Sequence, residues 1–92
     1  VRERVTAARE LAWIRQGCAN AELSPAAARE HAQLTDGARA ALADGHRTMK
    51  LSGRGHDRVL RVARTIADLR DRERVDIEEI AAALSLRRRG AE

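Results

Sequence analysis

Aromatic residues are nearly missing from these 92 residues: Trp13 is the one tryptophan, and there is no phenylalanine or tyrosine. The 43% of hydrophobic residues must therefore build a core from Ala, Leu, Val and Ile. That set packs well between helices, whereas sheets favour β-branched and aromatic side chains. Cys18 is the only cysteine, which excludes an internal disulfide and a cysteine zinc site and fits a reduced, cytoplasmic setting. No run is long and apolar enough to be a membrane span or a signal peptide. A glycine-rich phosphate loop is missing too, because Ser52-Gly53-Arg54-Gly55 lacks the GxxxxGK[ST] order. His31, His46 and His56 show neither HxxxH nor HExxH spacing, so no metal site is expected. No serine or cysteine has a base at a suggestive spacing. The chain alone is not expected to be an enzyme.

What is present is helix-forming sequence with a basic balance. The formal net charge is +4, and every cation except Lys50 is an arginine. Nucleic acid, nucleotide or an acidic protein surface are partners that suit such a charge. The 14 acidic residues interleave with the basic ones, so much of the charge reads as solvated helix surface. The length suits one domain over residues 1–92, an all-α bundle of four to five helices. The chain opens on Val1 within a helical pattern, which reads as a piece of a larger protein.

The first helix is expected from about Arg2 to Gln16, with Val5, Ala8 and Ala12 as its apolar strip and Leu11 and Ile14 widening it. Trp13 lies off that strip, either partly buried against the next connector or exposed as a docking face. Gly17 stops the helix, and Gly17 to Ser24 is a connector with Leu23 tucked inward. Ser24-Pro25 starts a short helix to Ala32. Thr35 or Asp36 caps a third helix to about Thr48, burying Ala38, Ala41, Leu42 and Gly45. Ser52 caps a fourth helix ending near Arg72. Within it, the pairs Asp57/Arg61 and Arg64/Asp68 read as surface pairs worth about 0.2–0.5 kcal/mol each. Asp76 with Glu79 resembles a capping box opening a last helix whose inner face is Ile77, Ile80, Ala81 and Leu84. Residues 87–92 read as a frayed tail.

The fourth helix carries the candidate chemistry. Leu51 to Leu69 reads LSGRGHDRVLRVARTIADL. Val59, Val62, Ala63, Ile66 and Leu69 recur at helical spacing, while Arg54, Arg58, Arg61 and Thr65 form a basic stripe from its start. Arginine suits a phosphate, since its charge is permanent and its planar fork grips two oxygens. Glycines on both sides of Arg54 keep bulk away from an approaching ligand. The plainer reading pairs Arg54 with a nearby carboxylate such as Asp57. Arginine is not the residue a helix N-terminus favours electrostatically, a hint that Arg54 is there for another reason.

These residues resemble the C-terminal domain of magnesium-chelatase-like AAA+ ATPases of the ComM (YifB) type. Further matches are Arg2-Glu3-Arg4-Val5 with Ala8-Arg9, Arg15-Gln16-Gly17, Asn20-Ala21-Glu22-Leu23, and Val75 to Leu86. Gly53 and Gly55 depart from it, standing where that family often has alanines; His56 replaces a common aromatic, and Trp13 a position usually polar. The resemblance implies a helical lid on the C-terminal side of a nucleotide-binding core. In such a lid, Arg54 would be the sensor-2 arginine touching ATP phosphates, with Arg58 in reserve and Arg61 as a candidate DNA or subunit contact. ATP and Mg²⁺ would be held by an upstream AAA+ core of the same chain, within a homo-hexameric motor promoting branch migration on DNA, with no membrane involved. Magnesium chelatase is a relative that inserts Mg²⁺ into porphyrin, but no residue here points to porphyrin chemistry. The alternative is a stand-alone basic helical module that binds DNA, its third and fourth helices mimicking a helix-turn-helix, or one that binds protein.

Overall fold

Three helices pack around a fourth. The computed structural model describes residues 2–90, side chains at 2, 21 and 88–90 excepted. In chain order the helices are α1 (Arg2–Gln16), α2 (Pro25–Ala32), α3 (Asp36–Thr48), α4 (Gly53–Leu69) and α5 (Ile77–Gly90), with a 3₁₀ turn at Asn20–Glu22. No strand occurs among the described residues, in keeping with the all-α composition. α1, α2, α5 and the 3₁₀ turn pack on α4, and α3 packs on α5.

Hydroxyl caps start three helices. Ser24 Oγ accepts from the Ala27 N–H at 3.2 Å, Thr35 Oγ1 from Ala38 at 3.1 Å and Ser52 Oγ from Gly55 at 3.0 Å, each satisfying a donor that the helix leaves free. The core joins Leu42, Leu51, Val59, Leu60, Val75 and Ile80 with alanines from every helix but α1. Small residues let the helices approach closely. A Cβ on Gly45 would lie 2.6 Å from Leu84 Cδ1, so α3 and α5 touch where α3 has no side chain.

The connectors are tied together. Gln33 and Asp71 adopt left-handed backbone, with φ of 53° and 56°, and reverse the chain after α2 and α4. Leu34 and Val75 then form an isolated parallel bridge, through Thr35 N–H to Val75 O at 3.0 Å and Val75 N–H to Gln33 O at 3.2 Å. Thr35 Oγ1 donates to Asp76 Oδ1 at 2.9 Å, joining the caps of α3 and α5.

Several boundaries and faces differ from the sequence expectation. α4 ends at Leu69, not near Arg72. The chain folds back there, with Arg72 N–H bonded to Ala67 O at 2.8 Å, and the Arg64 guanidinium takes the Arg72 and Glu73 carbonyls at 2.7 and 2.9 Å. α1 buries only Ala8 and Ala12 of its expected strip, leaving Val5 exposed and Ile14 83% exposed. Among the described residues, the element α1 packs on is α4, which leaves the opposite face uncovered by them. α5 turns Ile80 and Ala83 inward, while Ile77 and Ala81 are exposed. The helix is rotated because Glu79, entirely buried, lies on its inner side. Of the capping box, only the Glu79 half forms, its Oε1 accepting from the Asp76 N–H at 2.9 Å; the Asp76 carboxylate faces Thr35 and the Ile77 N–H. α5 continues through Arg87 to Gly90, and residues 91–92 lie outside the described residues.

Candidate functional site: the arginines of the fourth helix

The basic stripe on α4 divides in two. Arg54 and Arg58 are exposed, and neither forms an ion pair or hydrogen bond with any described residue. The carboxylate offered as a partner for Arg54 is engaged elsewhere. Asp57 Oδ1 lies 3.5 Å from Arg29 Nη1 and 3.8 Å from His56 Nδ1. Arg54 thus stands in the first turn of α4, with Gly53 open on one side and no described residue to neutralise it.

The rear of the stripe is committed within the fold. Arg61, half-buried, donates from Nε to the Leu23 carbonyl at 3.0 Å. Thr65 Oγ1 donates to the Arg61 carbonyl at 3.0 Å and accepts from Asn20 Nδ2 at 3.1 Å. One half of the stripe faces outward and the other holds the α1–α2 connector.

Behind it lies a buried polar network that sequence spacing did not reveal. Arg64 and Asp68, read as a surface pair, are 1% and 2% exposed and 3.0 Å apart. Besides the two carbonyls at the end of α4, Arg64 donates to Ala32 O at 3.2 Å, so one guanidinium joins α2, α4 and the α4–α5 turn; its Nε alone has no partner. Burial pulls the Arg64 guanidinium below its ordinary value against the opposing pull of Asp68, yet an arginine remains a cation. Asp68 also receives a forked pair from Arg15 at 2.9 and 3.1 Å, and Asn20 Nδ2 at 3.0 Å. Gln16 Nε2 completes the cluster on Asn20 Oδ1 at 2.7 Å. The signal that could have found it was the recurrence of Arg15-Gln16, Asn20 and Arg64-Thr65 with Asp68 in the resembling segments. Those residues prove to be neighbours in space.

A second buried acid, Glu79, lies on α5 with Arg70 Nη1 at 2.7 Å and Arg72 Nε at 3.7 Å. Burial opposes its charge, but the Asp76 N–H and the two guanidinia outweigh that and hold its carboxyl below its ordinary value. Asp76 is lowered as well, by the Ile77 N–H first and the Thr35 hydroxyl second. These acids are consumed in helix starts and turns. No group of three His, Cys, Asp or Glu among the described residues could hold a metal ion; the exposed guanidinia of Arg54 and Arg58 are able to meet anionic oxygens.

Two further surfaces bear on function. Trp13 is 58% exposed beside Ile14 on the outer side of α1, contrary to burial against the connector; Cys18 is half-buried. A groove of about 870 Å³ between α2, α3 and α4 has Leu42 and Leu60 in its lining and Arg29, Arg39 and Arg74 with Glu30 and Glu73 around them. Its mixed charge does not favour an anion as the stripe does. No helix among the described residues is long and apolar enough to cross a membrane.

Comparison with known proteins bears on the same residues. The sequence profile of the magnesium chelatase subunit ChlI C-terminal domain matches residues 1–87. Uncharacterized proteins of Mycobacterium bovis and of two Mycobacterium tuberculosis strains are 43% identical over 95 residues, covering 99% of this chain and 19% of each relative. The chain therefore spans about a fifth of the length of these curated relatives. No solved structure gives a significant match.

Proposed function

Since the chain belongs to the magnesium chelatase ChlI C-terminal family, we propose that it is the helical lid of a ComM-type AAA+ ATPase and that Arg54 is its sensor-2 arginine. The observation that carries this reading is the isolation of Arg54. It is an exposed cation at the start of the central helix, flanked by two glycines and without a carboxylate among the described residues. In this reading ATP and Mg²⁺ are bound by the upstream core of the longer protein, and Arg54 reaches the phosphates when the lid closes. A guanidinium fixed there before the reaction stabilises charge on the transferring phosphoryl group at no cost in reorganisation. Arg58, one turn on, is the reserve contact. Arg61 has its Nε on Leu23 and keeps its terminal N–H groups for DNA or a neighbouring subunit. The assembly would be a homo-hexameric cytoplasmic motor acting on DNA.

The test is Arg54→Ala in the longer protein. Its side chain touches no described partner, so the fold and melting temperature should be unchanged while ATP turnover drops by about 10²-fold. Normal turnover by a folded variant would sink the assignment. The exposed Trp13 and Ile14 favour a second reading, in which the outer face of α1 is where this domain docks on protein, the upstream core included.

A further inference from the structure

We propose that Arg87 of α5 is a second phosphate-contacting arginine, laid against the first turn of α4 beside Arg54. The inference rests on the reading of Arg54 as a phosphate contact and extends it to a residue on another helix. Its physical basis is a close approach. A Cβ built on Gly55 would lie 3.1 Å from Arg87 Nη2 and 3.5 Å from its Cζ, and 3.4 Å from Ser52 Oγ. The Arg87 guanidinium is thus seated on the backbone of α4, next in sequence to Arg54, at a place left free because residue 55 has no side chain.

The last turn of α5 favours a cation at Arg87, but no charge partner among the described residues fixes its guanidinium in this seat. Arg87 is half-buried, yet forms no ion pair or hydrogen bond with a described residue. The helix start offers it N–H donors, which a cation cannot use. Arg58 shares with it the cleft of about 200 Å³ between α4 and α5, lined also by Val59, Val62, Ala83 and Leu86, so the other charged side chain of that lining is also a cation. The acid of the first turns of α4, Asp57, is engaged elsewhere, with Arg29. Half-buried positive charge without a counter-charge among the described residues is unfavourable until an anion supplies one. A polyphosphate meeting Arg54 would find Arg87 approaching from the α5 side, and two forks hold a triphosphate in one orientation where a single fork allows it to turn.

The experiment is nucleotide binding by the longer protein, titrating N-methylanthraniloyl-ATP and the matching N-methylanthraniloyl-adenosine by fluorescence. Arg87→Ala should weaken ATP binding about tenfold and leave the adenosine probe unchanged; Arg87→Lys should recover part of the loss. Gly55→Ala guards against a folding artefact, since its Cβ displaces the guanidinium tip while keeping the arginine, and alanine is the better helix former. It should shift ATP affinity in the same direction. If Arg54→Ala weakens ATP binding but folded Arg87→Ala and Gly55→Ala do not, the second contact is wrong and the Arg54 reading stands. If none of the three alters binding, both fall. Equal losses for the two probes would mean that Arg87 acts on the fold and not on phosphate.

Discussion

Asp68 is the residue on which most of the fold's polar structure converges. It sits between Arg64 and the forked Arg15, with Asn20 on one oxygen, and it is the one carboxylate with which these two guanidinia pair among the described residues. Removing one member of a buried pair strands the other, at a cost of about 3–5 kcal/mol. Asp68→Ala should therefore lower unfolding free energy by about that much in a urea titration, and Asp68→Asn by less, since its amide still accepts one bond. A loss under 1 kcal/mol would show that Arg64 finds water instead. Glu79 sets the acid side of stability. Its carboxyl is held below the ordinary value of 4.5 in the fold, so its contribution is complete above that pH and disappears as pH falls through the lowered value. Melting curves should show Glu79→Gln less stable than the natural protein at neutral pH by about 1 kcal/mol, with the two converging in acid. Parallel pH profiles would refute the assignment. The Glu79 bond to the start of α5 was legible as a capping box, but the Asp68 network was not visible from spacing, because an Arg-x-x-x-Asp pair looks the same on a wet surface and in a core. Only the neighbours brought in from α1 and the turns decide which it is.

The legibility of each helix depended on how many sides it buries. α3 has one covered face, and its Ala38, Leu42 and Gly45 are the residues its periodicity marks. The caps at Ser24, Thr35 and Ser52 were equally readable, since a hydroxyl before a helical run meets a donor that is always free. α1 was misread because it is fixed by alanines and by the arginine fork, not by its largest apolar residues. α5 was rotated by a buried carboxylate that sequence patterning assigns to solvent. The outward turn of Trp13 carries its own prediction. In the 92-residue chain its emission should be red-shifted and readily quenched by acrylamide. In the longer protein, a core docked on α1 should shift it to the blue. Blue emission in the short chain would mean that Trp13 is covered within the domain itself.

For the whole molecule, all-α architecture followed from composition, and the family followed from segments that the fold brings together. The candidate site was legible as a position, Arg54 at the start of the long helix, but not as a setting. Its lack of a carboxylate among the described residues and the arrival of Arg87 from α5 depend on contacts between residues 28 and 32 apart in the chain. α4 places that site at one end and the Asp68 network at the other, about 20 Å of unbroken helix apart at 1.5 Å per residue. A rod anchored this way acts as a lever. Whatever tilts the Arg54 end by a few degrees moves the Asp68 end by an ångström or more, and Arg15 carries α1 along with it. The outer face of α1, with Trp13 and Ile14, is thus geared to the far end of the same helix, and a displacement begun at one surface of this small domain emerges at another.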